Sequence, residues 1–341
     1  MATAIATLVL AALVGGLGFL AQSARASRYA LIALFVVLLA ASALVSLVGV
    51  FVGVGFFFVA SGSGGGATQI TGGDQILLVG GGIAAFVAGI LGILLCVPLL
   101  RKILGRNMRR EFLADPPITL ALWLSVMVLA NNAVSFLIFT QDPDIGSLFP
   151  DGRISPLLIV ASQLPFIVVA AMGVGIFFRR NLRQTLERLG YGSISMKHLG
   201  AVALFIVAAL GLSVAADTLF AALQPDLYSQ VGEISESLFD PSGLSPISAI
   251  LFALLIGIGA GLGEETLFRG ALQPALGIVF TSILFATLHV QYGPSLLLGY
   301  ILLLSFGLGY IRKHINTTAS FLAHAGYNTA SVLLSYFLLG G

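Results

Sequence analysis

What most constrains this chain is the recurrence, from one end to the other, of unbroken apolar runs of about twenty residues, the length a helix needs to cross a bilayer core. Only helices and closed barrels satisfy their backbone hydrogen bonds in hydrocarbon. A barrel strand would alternate apolar and polar residues. These runs are continuous, so helices are expected. Composition agrees: 58% of the residues are hydrophobic and 9% charged, and the mean hydropathy is +1.06, a balance foreign to soluble globular domains. The expected fold is all-α, a polytopic transmembrane helical bundle. A formal net charge of +2 points to no nucleic-acid partner. The single cysteine, Cys96, lies inside an apolar run, which excludes an internal disulfide and a cysteine-rich metal site.

Ten candidate spans can be placed at 2–21, 29–60, 76–100, 117–140, 155–178, 200–223, 246–272, 275–290, 295–311 and 318–339. The eighth is too short for a full crossing and reads as steep, partial or re-entrant. The first resembles a signal peptide at "SARA", but no Lys or Arg precedes its apolar run, and we read it as a span. With the N-terminus outside, the inner loops collect Arg25, Arg28, Arg101, Lys102, Arg106, Arg109, Arg110, Arg179, Arg180, Arg183, Arg188, Lys197, Arg269, Arg312 and Lys313. Of the 16 basic residues only Arg153 then falls outside, as the positive-inside rule requires. A multi-pass protein of the plasma membrane is expected. The loop near 101–116 divides the chain. Residues 1–115 form an accessory region of three spans with no ionisable residue inside them. Residues 116–341 hold seven spans and nearly all the intramembrane polar groups.

An ionisable side chain in hydrocarbon costs roughly 2.5–3.5 kcal/mol on insertion scales, so its default reading is functional. Asp217 lies near the outer end of its span and reads as interfacial. Asn131 and Asn132 read as helix-packing residues. His198 and His314 fall in basic loops. There remain Glu264, Glu265 and Arg269 in "GLGEETLFRG", His289 in "FATLHVQYG", and His324 with Asn328 in "FLAHAGYN". Glu265 and Arg269 are i,i+4 and can pair along one helix face. His324 and Asn328 share that spacing. Glu264 is turned by about 100° from Glu265 and escapes the pair. At ~1.5 Å per residue, Glu264, His289 and His324 can meet between the inner surface and the midplane. Ahead of the glutamates, Gly257, Gly259, Gly261 and Gly263 make two small-xxx-small pairs, expected to pack closely against other helices.

This set can perform hydrolysis. A buried glutamate with a histidine can deprotonate water. A second histidine with an asparagine amide can donate to an oxyanion. Glu264, His289 and His324 could instead ligate zinc, although H-E-x-x-H is absent. Carboxylates near the midplane also suit a transporter or ion pathway, and a binding or structural role stays open.

"EETLFR" fits E-E-x-x-x-R, "FATLH" fits F-x-x-x-H and "HAGYN" fits H-x-x-x-N. In order and separation they resemble the CPBP intramembrane protease family, the type II CAAX prenyl endopeptidases and their bacteriocin-processing and immunity relatives. The resemblance covers residues 245–335. It implies an intramembrane endopeptidase in which Glu264 and His289 activate water, His324 and Asn328 form the oxyanion site, and Glu265 and Arg269 support it. The implied substrate is a membrane-associated protein or peptide, prenylated or not. The family is often labelled metalloprotease, but the glutamate–histidine reading needs no cofactor, with Zn2+ on Glu264, His289 and His324 as the alternative. Some relatives act as non-catalytic scaffolds or regulators.

Overall fold

The computed structural model describes residues 2–60, 72–107, 115–141 and 154–338. Arg109, Arg110, Arg153 and most of the Gly/Ser-rich outer loop lie outside them. Among the described residues every regular element is helical, and an Ile176–Arg180 bridge stands alone. Eight helices are long and apolar enough to cross a membrane, and a ninth apolar helix, Ile278–Thr287, is short. The chain is thus a multi-pass, all-α membrane protein. It divides into two compact units, residues 17–143 and residues 1–16 with 144–341.

The first unit contains the end of α1 (Ala2–Ser23), then α2 (Arg28–Ala60), α3 (Gly72–Cys96), α4 (Pro98–Asn107) and α5 (Pro116–Gln141). Glycine lets α2 and α3 touch at backbone distance: a Cβ on Gly49 would collide with the backbone of Phe86 and Gly82. The polar groups inside are paired locally. Trp123 Nε1 donates to Ser42 Oγ at 2.8 Å, and Arg101 donates to Thr119 Oγ1 at 2.9 Å while lying over the Phe35 ring. Arg25 forms an ion pair with Asp115. Of the two mid-span asparagines, Asn132 is buried and Asn131 exposed.

The second unit carries α6 (Pro156–Val174), α7 (Leu182–Leu189), α8 (Met196–Leu223), α9 (Pro225–Phe239), α10 (Pro246–Glu265), a π-helical segment (Thr266–Leu272), α11 (Gln273–Leu276), α12 (Ile278–Thr287), a 3-10 turn (Val290–Tyr292), α13 (Leu296–His314) and α14 (Thr317–Leu338). The helix ends follow local chemistry. Pro156, Pro225 and Pro246 open α6, α9 and α10, where a missing N–H costs nothing. Gly175 and Gly190 close α6 and α7 at φ 92° and 81°, a left-handed conformation that costs a residue with a Cβ. Ser195 and His198 build a capping box at the start of α8, which places His198 at a helix end. The outward surface is lipid-like: Leu204, Val207 and Val214 of α8 are each about two-thirds exposed.

Two loops expected from the sequence contain helices, α7 and α9. The tenth expected span is the helix α14, long enough to cross. It is not among the eight apolar ones because Thr317, Ser320, His324, Asn328, Ser331 and Ser335 interrupt its hydrophobicity.

The four glycines of α10 face two different neighbours. Gly257 and Gly261 meet Ala325, Thr329 and Phe321 of α14, whereas Gly259 and Gly263 meet Ile159 and Gln163 of α6. A Cβ on Gly257 would lie 2.5 Å from the Ala325 carbonyl oxygen, while one on Gly259 would meet only a methyl of Ile159 at 3.3 Å. Gly257→Ala is therefore expected to cost about 1–3 kcal/mol and Gly259→Ala far less. Thermal unfolding of both variants in one detergent checks this, and equal losses would contradict the packing described.

Candidate active site

Glu264 and Glu265 are the last two residues of α10, and the widened π-helical turn that follows places Arg269. Such turns insert an extra residue per turn and recur at functional sites. Glu265 and Arg269 are wholly buried and face each other, Nε to Oε2 at 3.5 Å. The guanidinium also donates to Ser305 Oγ at 3.1 Å and lies 4.7 Å above the Phe285 ring. The π segment is held from outside its own helix as well. The Thr266 hydroxyl donates to the Leu262 carbonyl, so Tyr191, 2.5 Å away, is the donor to Thr266. Burial pushes the Tyr191 phenol above its ordinary pKa, which keeps that proton in place.

The other carboxylate oxygen of Glu265, Oε1, lies 3.0 Å from His324 Nδ1. One carboxylate thus joins Arg269 to His324. A carboxylate accepts, so Nδ1 carries the proton and the opposite ring nitrogen, Nε2, is turned toward Glu264. Its distance to Glu264 Oε2 is 3.9 Å, beyond a direct hydrogen bond. That Glu264 oxygen is buried and has no hydrogen-bond partner among the described residues. Asn328 follows His324 by four residues on α14. It is half-buried.

His289 emerges just beyond the end of α12. Its Nδ1 lies 3.1 Å from the carbonyl oxygen of Phe285, which only accepts. Nδ1 therefore carries the proton of the neutral ring and Nε2 keeps its lone pair. Phe285 packs on this imidazole at 4.9 Å and on that of His324 at 5.8 Å, and Tyr292 lies nearly parallel to His289 at 12°. Glu264 comes within ion-pair reach of His324 and not of His289, although the sequence paired it with the latter. The zinc alternative requires Glu264, His289 and His324 around one ion. Among the described residues no three His, Cys, Asp or Glu side chains gather in that way.

A family model described as "Type II CAAX prenyl endopeptidase Rce1-like" matches residues 246–330, from the first residue of α10 into α14, and so spans all six residues above. "Uncharacterized protein YpbD" of Bacillus subtilis (strain 168) is 30% identical over 148 residues, which is 43% of this chain and 72% of that protein. The chain belongs to the Rce1-like family. No solved structure matches it.

In this Rce1-like chain two of the remaining polar candidates have structural partners. Asp217 accepts from Tyr228 at 3.3 Å, and His314 packs on Tyr310. Residues around the site that the sequence did not single out are Tyr191, Thr266, Phe285, Tyr292 and Ser305. Only Phe285 had a local signal, four residues before His289. Ser305 is 36 residues from Arg269 in sequence, and only folding brings the two together.

Proposed function

We propose that this protein is an intramembrane endopeptidase that hydrolyses a peptide bond in a membrane-associated protein or peptide by direct attack of water. The observation that supports it most is the different anchoring of the two histidines. His289 is held by a carbonyl, so it offers a lone pair at Nε2. His324 is held by a carboxylate and turned toward a second one, so with both protons it is a charge-assisted donor at Nε2 with its counter-charge in place. One ring suits taking a proton and the other suits giving a hydrogen bond, the division that acid–base hydrolysis requires.

In this reading Glu264, with its unpartnered buried oxygen, and His289 draw a proton from water as its oxygen attacks the carbonyl carbon. The carbonyl oxygen becomes an oxyanion held by His324 and Asn328. Collapse of that intermediate breaks the C–N bond, and the proton taken from water goes to the leaving amine. Glu265 fixes His324, and Arg269 fixes Glu265. The basic side of the membrane is read as cytoplasmic, with the N-terminus outside.

His289→Gln should lower turnover by about 10²–10⁴, since an amide is no base. Asn328→Ala should lower it by about 10²–10³ with KM nearly unchanged, because the donor acts mainly on the developing charge. His324→Gln keeps a donor and should retain part of the activity. Steady-state cleavage by the three variants, with elemental analysis of the active wild type, tests these roles. Stoichiometric zinc that disappears in His289→Ala and His324→Ala, with activity restored only by adding metal back, would overturn the metal-free mechanism.

A further inference from the structure

Residues 189–193, "LGYGS", close α7 and touch both of the helical stretches that carry the site. The contacts with α14 are made at its start. The Leu189 carbonyl accepts from Thr317 Oγ1 at 2.6 Å, and the Gly190 carbonyl accepts from Thr317 N at 2.9 Å. Gly192 N donates to Thr318 Oγ1 at 3.0 Å. Asn316 works in both directions. Its Oδ1 caps the Ala319 N–H, so its Nδ2 is the end that donates to the Ser193 carbonyl, at 2.9 Å. Gly190 stands at φ 81° against the Arg312 guanidinium, where a Cβ would collide with it.

The contacts with the π-helical segment are made at Thr266 and Gly270. The Tyr191 hydroxyl donates to Thr266 Oγ1 at 2.5 Å, and Thr266 gives its own proton to the Leu262 carbonyl. The turn so closed, 262–266, is the one that presents Glu264 and Glu265. One turn on, a Cβ on Gly270 would lie 3.0 Å from the Leu189 carbonyl oxygen, so the two backbones pass at close range. Arg312, lying against Gly190, donates from Nε to the Arg269 carbonyl at 3.2 Å. On the other side of the glutamates, Gly257 and Gly261 hold α10 against α14. The two helices are therefore fixed on both sides of the site, once by glycine packing and once by residues 189–193.

That spacing has a chemical consequence. Glu264 Oε2 and His324 Nε2 are 3.9 Å apart. A direct N–H···O bond needs about 2.7–3.2 Å, so a relative shift of roughly 1 Å would close the gap. The Glu264 carboxylate would then be engaged by His324 instead of by water. We propose that Tyr191 is a positioning residue for the hydrolytic site: through Thr266 it sets the turn that presents Glu264 relative to the helix that presents His324 and Asn328. The assignment rests on the hydrolytic reading above. Tyr191 acts through Thr266 and not on the substrate.

The test combines two readouts on the purified full-length protein in one detergent. Amide hydrogen exchange followed by mass spectrometry reports on residues 262–272 and needs no substrate. A quenched-fluorescent peptide, built from a sequence that the wild type cuts, gives kcat and KM. Tyr191→Phe keeps the ring and loses only the donor. It should speed exchange in 262–272 and leave α8 unchanged. It should also lower kcat about 10–100-fold with KM within about twofold, the effect of a misplaced catalytic group. Thr266→Val, which removes the hydroxyl at similar volume, should do the same, and Thr266→Ser, which keeps it, should behave like the wild type. If Tyr191→Phe does not fold, the two Thr266 variants carry the test. Unchanged kcat in Tyr191→Phe and Thr266→Val, with or without faster exchange, would overturn the proposal. So would a raised KM at unchanged kcat, which would put Tyr191 on the substrate. Faster exchange throughout the protein would overturn it too, as the mark of a general loss of fold. A wild type that cuts no peptide would overturn the hydrolytic reading instead, and exchange confined to 262–272 would still show that Tyr191 sets the turn.

Discussion

Arg269→Met is expected to cost about 3–5 kcal/mol of folding stability, the usual consequence of removing one partner from a buried ion pair. Glu265 and Arg269 are 0% and 1% exposed, so neither charge is rescued by solvent. Without the guanidinium, Glu265 keeps its His324 bond but stays buried without the cation beside Oε2. Ser305 and the Phe285 ring also lose their cation. The loss should be largely electrostatic, because methionine fills similar space and packs adaptably. The double variant Glu265→Gln with Arg269→Met should accordingly recover part of the stability by removing both charges. Chemical unfolding of the wild type, the single and the double variant in one detergent decides it. A single variant as stable as the wild type would mean that the pair does not hold the π-helical turn.

The fold class was readable because hydrocarbon imposes it: runs of that length with no internal polar partners have to be helices. The pairing of Glu265 with Arg269 was readable for a similar reason, since i,i+4 spacing on one helix leaves little freedom. The glycines of α10 were readable as a packing signal but not as two signals. That Gly257 and Gly261 serve α14 while Gly259 and Gly263 serve α6 depends on where those helices come to lie. The π-helical turn was invisible, because nothing in "TLFRGAL" separates one extra residue per turn from an ordinary helix. The site itself was legible only coarsely. Rise per residue places Glu264, His289 and His324 at similar depth within several ångströms, but hydrogen bonding is settled within less than one. This is why the direct neighbour of Glu264 is His324, and why the carbonyl that sets the proton on His289 came only from the structure. Helices α7 and α9 were missed because short amphipathic segments between spans read as loops.

The hydrolytic reading turns on Glu264 as the base, and Glu264→Gln isolates that role. The amide preserves volume and leaves the Glu265–Arg269 and Glu265–His324 contacts untouched, but it cannot accept the proton of water. General-base catalysis is worth about 10²–10⁴ in rate, so the variant should fold with an unchanged Tm and lose cleavage by at least that factor. The measurement reconstitutes the wild type and Glu264→Gln separately into vesicles with a mixture of membrane proteins and identifies newly formed amino termini by mass spectrometry. The wild type should produce a set of termini that are absent with the variant. Identical termini from both would contradict it. So would a folded wild type that cuts nothing while Glu264→Gln abolishes an ion flux across the same vesicles.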